Sequence, residues 1–207
     1  MSTRERILDA AARVMREQGV AHATTKEIAR AAGCSEALLY RHFDDKQGLF
    51  MAVLQERLPR FALPDDAVGT STVEANLVRF VSGLLDFYFG SFPISASIFS
   101  SSVLLARHRE SIAAKGAGPQ VPQLRLQAYL EAERDAGRVR ADADVESAAR
   151  LLVGAALYQA FLAAFWGESG DGSAGHGGAG DSSAPGADEP GLAGRLVAPV
   201  LPALLPG

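Results

Sequence analysis

The stretch that most constrains this chain is residues 24–46, TTKEIARAAGCSEALLYRHFDDK. Thr24 followed three residues later by Glu27 has capping-box spacing. The Thr24 hydroxyl accepts from the Glu27 backbone N–H, and the Glu27 side chain accepts from the Thr24 N–H. Ile28, Ala31 and Ala32 then fall on one face at helical spacing. Gly33 stands where a helix C-terminus calls for a left-handed residue. Ser35 is an N-cap for a second helix, and Leu38, Leu39 and Phe43 give that helix an apolar side. Two helices, over 25–32 and 36–42, joined by a Gly-containing turn of about three or four residues, form the helix-turn-helix of DNA-binding proteins.

The remaining segments also read as helices. Ile7, Leu8, Ala11, Val14 and Met15 make an amphipathic helix of residues 3–18, which Gly19 ends. A fourth helix starts near Asp45 or Lys46, carries Leu49, Phe50, Val53, Leu54 and Leu58 inward, and is ended or kinked by Pro59 and Pro64. Val73, Leu77, Phe80, Val81, Leu84, Leu85 and Tyr88 keep helical spacing until Gly90 and Pro93, which are expected to break the helix. Residues 93–114 form a further helical region in one or two pieces. Pro122 suits the first turn of a helix that ends at Gly137. Residues 138–144 are a polar connection, and 143–166 is the most apolar helix. Residues 167–188, rich in Gly, Ser, Ala and Asp, read as a flexible loop. The apolar pattern resumes from Leu192 to Leu205 with Pro199 and Pro202 inside it, so a continuous last helix is not expected. No segment reads as a strand. The expected fold is all-α, with a three-helix helix-turn-helix domain at 1–48 joined to a larger helical domain at 49–207.

Charge is divided unevenly. The whole chain of 207 residues carries a formal net charge of −4. Residues 1–60 hold 10 Lys and Arg against 8 Asp and Glu, whereas residues 61–207 hold 10 against 16. The mildly basic part is the part with the helix-turn-helix, although +2 is a weak footprint for a nucleic-acid binder. Cys34 is the lone cysteine, which excludes an internal disulfide and a cysteine-based metal cluster. The four histidines lack metal-ligand spacing, and no nucleophile–base pair stands out, so neither an enzyme nor a bound metal or cofactor is expected. Gly170, Gly172 and Gly175 spell G-x-G-x-x-G, but with a helix before them and more glycine after them, not the strand and helix a dinucleotide site needs. The start of the chain is polar, without the apolar core of a secretory signal. The apolar run at 151–166 has 16 residues, short of the roughly 20 that span a bilayer. A cytoplasmic protein without a membrane partner is the expectation.

With these residues in view, the N-terminal 50 or so positions resemble the DNA-binding domain of TetR-family transcriptional regulators. The likeness rests on Ile7, Leu8, Ala10 and Ala11, on Thr24, Thr25, Ile28 and Ala29, on Ala32, Gly33, Ser35 and Leu38, and on Leu39, Tyr40, His42, Phe43 and Lys46, all at the family's spacing. Cys34 stands where the family usually has Val, and Ala37 where Gly is frequent. The resemblance implies a helical homodimer that binds a palindromic operator in double-stranded DNA. It further implies a C-terminal domain that takes a small molecule which releases the DNA, with the last two long helices as dimer interface. An activator, or a regulator without an effector, would share this sequence pattern. A helical small-molecule-binding protein or enzyme that does not bind DNA is the reading from another class.

In a helix-turn-helix the N-terminal residues of the second helix face base edges, which selects Ser35, Glu36, Ala37, Leu38, Tyr40 and Arg41. Glu36 can accept from a cytosine amino group, and Arg41 can donate to guanine or to phosphate. Thr25 and Lys26, at a helix start, can meet phosphate. Tyr40, His42 and Lys46 match the family's phosphate-contacting positions. Leu39 and Phe43 are expected to face inward. For the effector, the aromatic-rich middle of the chain supplies candidate pocket residues: Phe80, Leu84, Phe87, Tyr88 and Phe99, with Tyr158, Phe161 and Phe165. Such a lining would favour an apolar or aromatic molecule. The 143–166 helix, apolar around much of its circumference, suits a dimer interface, with the final Leu/Val segment as its partner.

Overall fold

A computed structural model of the chain describes residues 1–19, 22–57, 67–99, 101–113, 118–166 and 191–206. The Gly-rich stretch at 167–188 lies outside the described residues. Among those described, all regular structure is helical. The helices are α1 (Thr3–Gln18), α2 (Thr25–Ala31), α3 (Glu36–Tyr40), α4 (Lys46–Glu56), α5 (Val73–Phe99), α6 (Ser102–Ala113), α7 (Val121–Asp135) and α8 (Val145–Trp166). The C-terminal segment comprises α9 (Leu192–Val197), a 3₁₀ turn (Ala198–Val200) and α10 (Leu201–Leu204). The interruption falls at Pro199 and Pro202, each in the first positions of a new helical piece, where its missing N–H is tolerated.

The local signals of residues 24–46 are realised. The Glu27 N–H donates to Thr24 Oγ1 at 3.2 Å and the Thr24 N–H donates to Glu27 Oε2 at 3.2 Å. Gly33 takes a φ of 65° in the turn, and the Ser35 hydroxyl accepts from the Leu38 N–H. A second capping box, Ser2 with Glu5, opens α1. Asp45 caps α4 by accepting from the Gly48 N–H at 2.6 Å. That bond, followed by the Arg107 guanidinium, holds the Asp45 carboxyl below its ordinary range.

The chain divides into two compact units, Met1–Pro59 with Gly90–Gly118, and Arg60–Phe89 with Pro119–Gly207. The division does not fall at residue 48. Leu49, Phe50 and Val53 of α4 are buried in the core that α1 to α3 build from Ile7, Leu8, Met15, Ile28 and Leu39, so α4 belongs to that unit. Ile94 is buried in the same cluster. α5 also departs from expectation: it runs through Gly90 and Pro93 without ending. Proline removes one backbone bond and glycine weakens a turn, yet Ile94 and Ile98 beyond them are buried, which rewards continuing the helix. On the surface of the first unit Arg4 makes a two-pronged pair with Glu56 at 2.7 Å, and Arg57 pairs with Asp9 at 2.6 Å. Exposed pairs of this kind contribute up to about 1 kcal/mol each.

The core of the second unit joins Leu77, Phe80, Val81 and Leu84 of α5, Leu126 and Leu130 of α7, Ala149, Leu152 and Ala156 of α8, and Leu192, Val197 and Leu204 of the C-terminal segment. A polar network crosses it. The Asn76 amide donates to the carbonyls of Ala67 (3.0 Å) and Thr70 (2.8 Å) and approaches the Tyr129 hydroxyl at 3.0 Å. Glu133, wholly buried, accepts from the Gly69 N–H at 3.3 Å. Its other oxygen lies 3.1 Å from Arg138 Nε, an ion pair misaligned for a hydrogen bond. Arg138 also donates to the Ser71 carbonyl at 2.6 Å, holding a residue whose φ is 55°.

Burial, together with the hydrogen bond to Glu133, pushes the Tyr129 hydroxyl up to about 12, while Asn76 opposes the shift. The unfolded phenol ionises near pH 10, so the folded state holds its proton more tightly. This contribution is fully present below about pH 10 and lost as pH rises towards about 12. In urea titrations across that window the stability of the chain should fall with pH, and Tyr129→Phe should flatten the fall; parallel curves for both proteins would refute the assignment.

α8 is 22 residues long, so the 16-residue apolar run belongs to a longer helix. It is the one helix among the described residues long and apolar enough, by length and composition, to cross a bilayer, with mean hydropathy 1.5. One face, including Ala148, Ala149, Leu152, Ala156, Ala160 and Ala163, is buried in the second unit, where α8 packs on α7 and α9. The other carries Leu151, Leu157, Tyr158, Phe161, Phe165 and Trp166, all exposed.

Candidate nucleic-acid interface

The candidate site is assembled from the core outward. Helix α3 has five residues, too few to be stable alone. It is held by Leu39, which is fully buried, by Phe43 just beyond it, and by its Ser35 cap. Arg6 of α1 adds a bond from its guanidinium to the Ala32 carbonyl at 3.2 Å, satisfying the end of α2. With Leu39 and Phe43 inward as expected, Ser35, Glu36, Ala37, Tyr40, Arg41 and His42 are exposed and Leu38 is half-buried. Arg41 and His42 lie just past the helix, in a turn rather than in the helical continuation expected.

The remaining expected contact residues differ among themselves. Lys26 is exposed on α2. Lys46 is half-buried at the first position of α4, its ammonium 5.1 Å from the centre of the Phe50 ring, a cation–π pair one turn along the helix. Thr25 is buried, 8% exposed, and its hydroxyl is engaged within the protein. It donates to Glu36 Oε1 at 2.5 Å and accepts from the Tyr40 hydroxyl at 3.3 Å. Sequence reading missed this chain of bonds, because its members are 11 and 15 residues apart and only the folded turn brings them together.

None of the eight candidate effector residues borders the cavity found among the described residues of the second unit. Phe80 and Leu84 are core, 1% and 0% exposed. Phe87 and Tyr88 are half-buried, their ring centres 5.3 Å apart, and burial raises the Tyr88 hydroxyl above its ordinary value. Phe99 is 73% exposed and belongs to the first unit. Tyr158, Phe161 and Phe165 lie on the exposed face of α8, stacked in sequence at 6.3 and 5.9 Å between ring centres. A cavity of about 170 Å³ in the second unit is bordered by Val78, Ser82, Leu85, Asp86 and residues 191–194, none of them among the eight. The periodicity that could have placed the α8 aromatics on one stripe is legible: 151, 154, 158, 161 and 165 alternate steps of three and four.

Among the described residues the chain is all-helical, with a capped helix-turn-helix closed by a first and a fourth helix. Residues 7–53 match the family model described as bacterial regulatory proteins, tetR family, so the N-terminal segment is a tetR-family domain. The chain is 48% identical over 54 residues to an uncharacterized HTH-type transcriptional regulator, YvkB, of Bacillus subtilis, covering 26% of this chain and 29% of that one. It is 39% identical over 82 residues to the HTH-type transcriptional regulator BetI of Rhizobium meliloti, covering 40% and 39%. These matches span well under half of the curated relatives' length. The fold likeness extends further. A TetR transcription regulator from Haloarcula marismortui superposes with a TM-score of 0.69 at 22% identity, covering 99% of this chain and 98% of that one. FadR from Bacillus subtilis, solved in complex with stearoyl-CoA, superposes with a TM-score of 0.58 at 19% identity, covering 79% and 88%.

Proposed function

We propose that the chain is a DNA-binding transcriptional regulator. In this reading it represses by binding an approximately palindromic operator as a homodimer, and a small apolar or aromatic molecule releases it. The observation that carries the reading is the build of α3, which buries Leu39 and turns Ser35, Glu36, Ala37 and Tyr40 outward. That is the arrangement by which a recognition helix enters the major groove with its N-terminal residues toward base edges. The exposed seam of α8 supports self-association, and a two-fold dimer would read half-sites roughly 34–36 Å apart. The apolar core of the second unit, with Phe87 and Tyr88 half-buried, supports an apolar effector. Such a role is performed in the cytoplasm.

Phosphate contacts add affinity without sequence preference. Lys46→Ala should therefore weaken binding to the upstream DNA of its own or a neighbouring gene and to unrelated duplexes by similar factors. It should also reduce the slope of log affinity against log salt by about one. Gel-shift titrations at several salt concentrations test both. Unchanged affinity and slope would remove Lys46 from the interface, and no binding by the unaltered protein to any duplex would overturn the function itself.

A further inference from the structure

The chain of hydrogen bonds joining α2 to α3 points to a base-reading role for Glu36: we propose that Glu36 selects cytosine in the operator, and that Thr25 is the residue that positions it. The inference rests on the DNA-binding reading above and adds what that site prefers.

The Tyr40 hydroxyl donates to Thr25 Oγ1 at 3.3 Å, and Thr25 Oγ1 donates in turn to Glu36 Oε1 at 2.5 Å. The single hydroxyl hydrogen of Thr25 is therefore spent on Glu36, and its side chain is 8% exposed. A hydroxyl in that state has no donor left for a phosphate. The Thr25 hydroxyl thus acts through Glu36 rather than on phosphate. Glu36 itself is exposed at the first position of α3, one residue after the Ser35 cap. One carboxylate oxygen is used by Thr25 and the other remains for a ligand.

A carboxylate facing a major groove meets phosphates and a row of base acceptors, all of which repel it. The exceptions are the amino groups of cytosine and adenine, and adenine sets the N7 acceptor beside its amino group. Cytosine is the base whose edge a carboxylate accepts from with least opposition. A flexible Glu would swing away from the groove. The bond to Thr25 fixes its direction, so a wrong base meets an aimed acceptor that cannot withdraw. Glu36 then discriminates by attraction to cytosine and by repulsion of guanine and thymine.

The test is selection of bound duplexes from a library of randomised double-stranded DNA, with the full chain and its variants, each first shown to melt like the unaltered protein. The unaltered protein should enrich a palindrome with cytosine at one symmetry-related pair of positions. Glu36→Gln should turn that pair to adenine, which glutamine reads through N6 and N7, and leave the other positions alone. Thr25→Val should keep the palindrome but lower the preference for cytosine at that pair about fivefold or more in competition binding, and Thr25→Ser should restore it. An identical consensus for the unaltered protein and Glu36→Gln, or no cytosine at any symmetric pair, overturns the role of Glu36. A Thr25→Val protein that weakens on all sequences equally, with the cytosine preference intact, overturns the positioning role. If the unaltered protein enriches no sequence and retains no duplex, the DNA-binding reading has failed and this proposal fails with it.

Discussion

Glu133→Ala should lower the stability of the second unit by about 3–5 kcal/mol, the usual range when one partner of a buried ion pair is removed. The carboxylate is wholly buried, whereas the Arg138 side chain beside it is 28% exposed. Removing the acid leaves the Arg138 guanidinium without its carboxylate, the Gly69 N–H without its acceptor and the Tyr129 hydroxyl with Asn76 alone. It also loosens the turn in which Ser71 is held at a positive φ, because Arg138 is then drawn towards solvent. Guanidinium unfolding followed by circular dichroism measures the change. Glu133→Leu combined with Arg138→Met should recover part of the loss, since an apolar pair replaces two charges that no longer need each other. A Glu133→Ala protein within 1 kcal/mol of the unaltered one, an order-of-magnitude threshold from ordinary surface substitutions, would show that the carboxylate does not sit in the core.

Phe161→Asp with Phe165→Asp should convert the proposed dimer to monomer at micromolar concentration. The two rings are exposed, 43% and 66%, so their replacement costs the isolated chain little folding free energy. In a seam of paired helices they would be the central anchors, flanked by Tyr158 and by Trp166, whose ring meets Phe165 edge-on at 5.1 Å. Aromatic anchors of this kind contribute about 2 kcal/mol or more each, so the pair should change the dissociation constant by roughly a thousandfold or more. Two carboxylates facing their symmetry mates add repulsion. Gly154, exposed on the same stripe, lets the helix backbones come close. Sedimentation measures the mass, and Trp166, the sole tryptophan, reports the change through its fluorescence. A double variant that remains dimeric with an unchanged helical spectrum would place the interface elsewhere.

What could be read from the sequence was local. The caps at Thr24 and Ser35 depend on neighbours within three residues, and each is realised by the bond its spacing implies. Leu39 and Phe43 were distinguishable from Tyr40 because a short helix has only one side to bury. The aromatic residues were not distinguishable in this way. Helical spacing says that Phe80, Phe161 and Phe165 share a helical period with other apolar residues; it does not say whether the facing surface is core, cavity or a second chain. Phe80 fell in the core and the α8 pair on the surface. The bond between Thr25 and Glu36 and the burial of Glu133 depend on chain segments brought together by the fold, which no local pattern encodes. Pro93 failed as a stop signal because burial of Ile94 and Ile98 outweighed the lost backbone bond.

That proline has a consequence for how α5 loses structure. Pro93 has no N–H to offer the Phe89 carbonyl, and Gly90 lies between them. The boundary between the two compact units falls at Phe89 and Gly90, on the same turn. A uniform helix frays from its ends, but α5 is weakest inside. Its amide protons should be shielded from solvent exchange as two blocks, one protected by the packing of Leu77 to Leu85 and the other by Ile94 and Ile98. One 27-residue helix then melts as two shorter ones, each keeping the lifetime of the core that holds it.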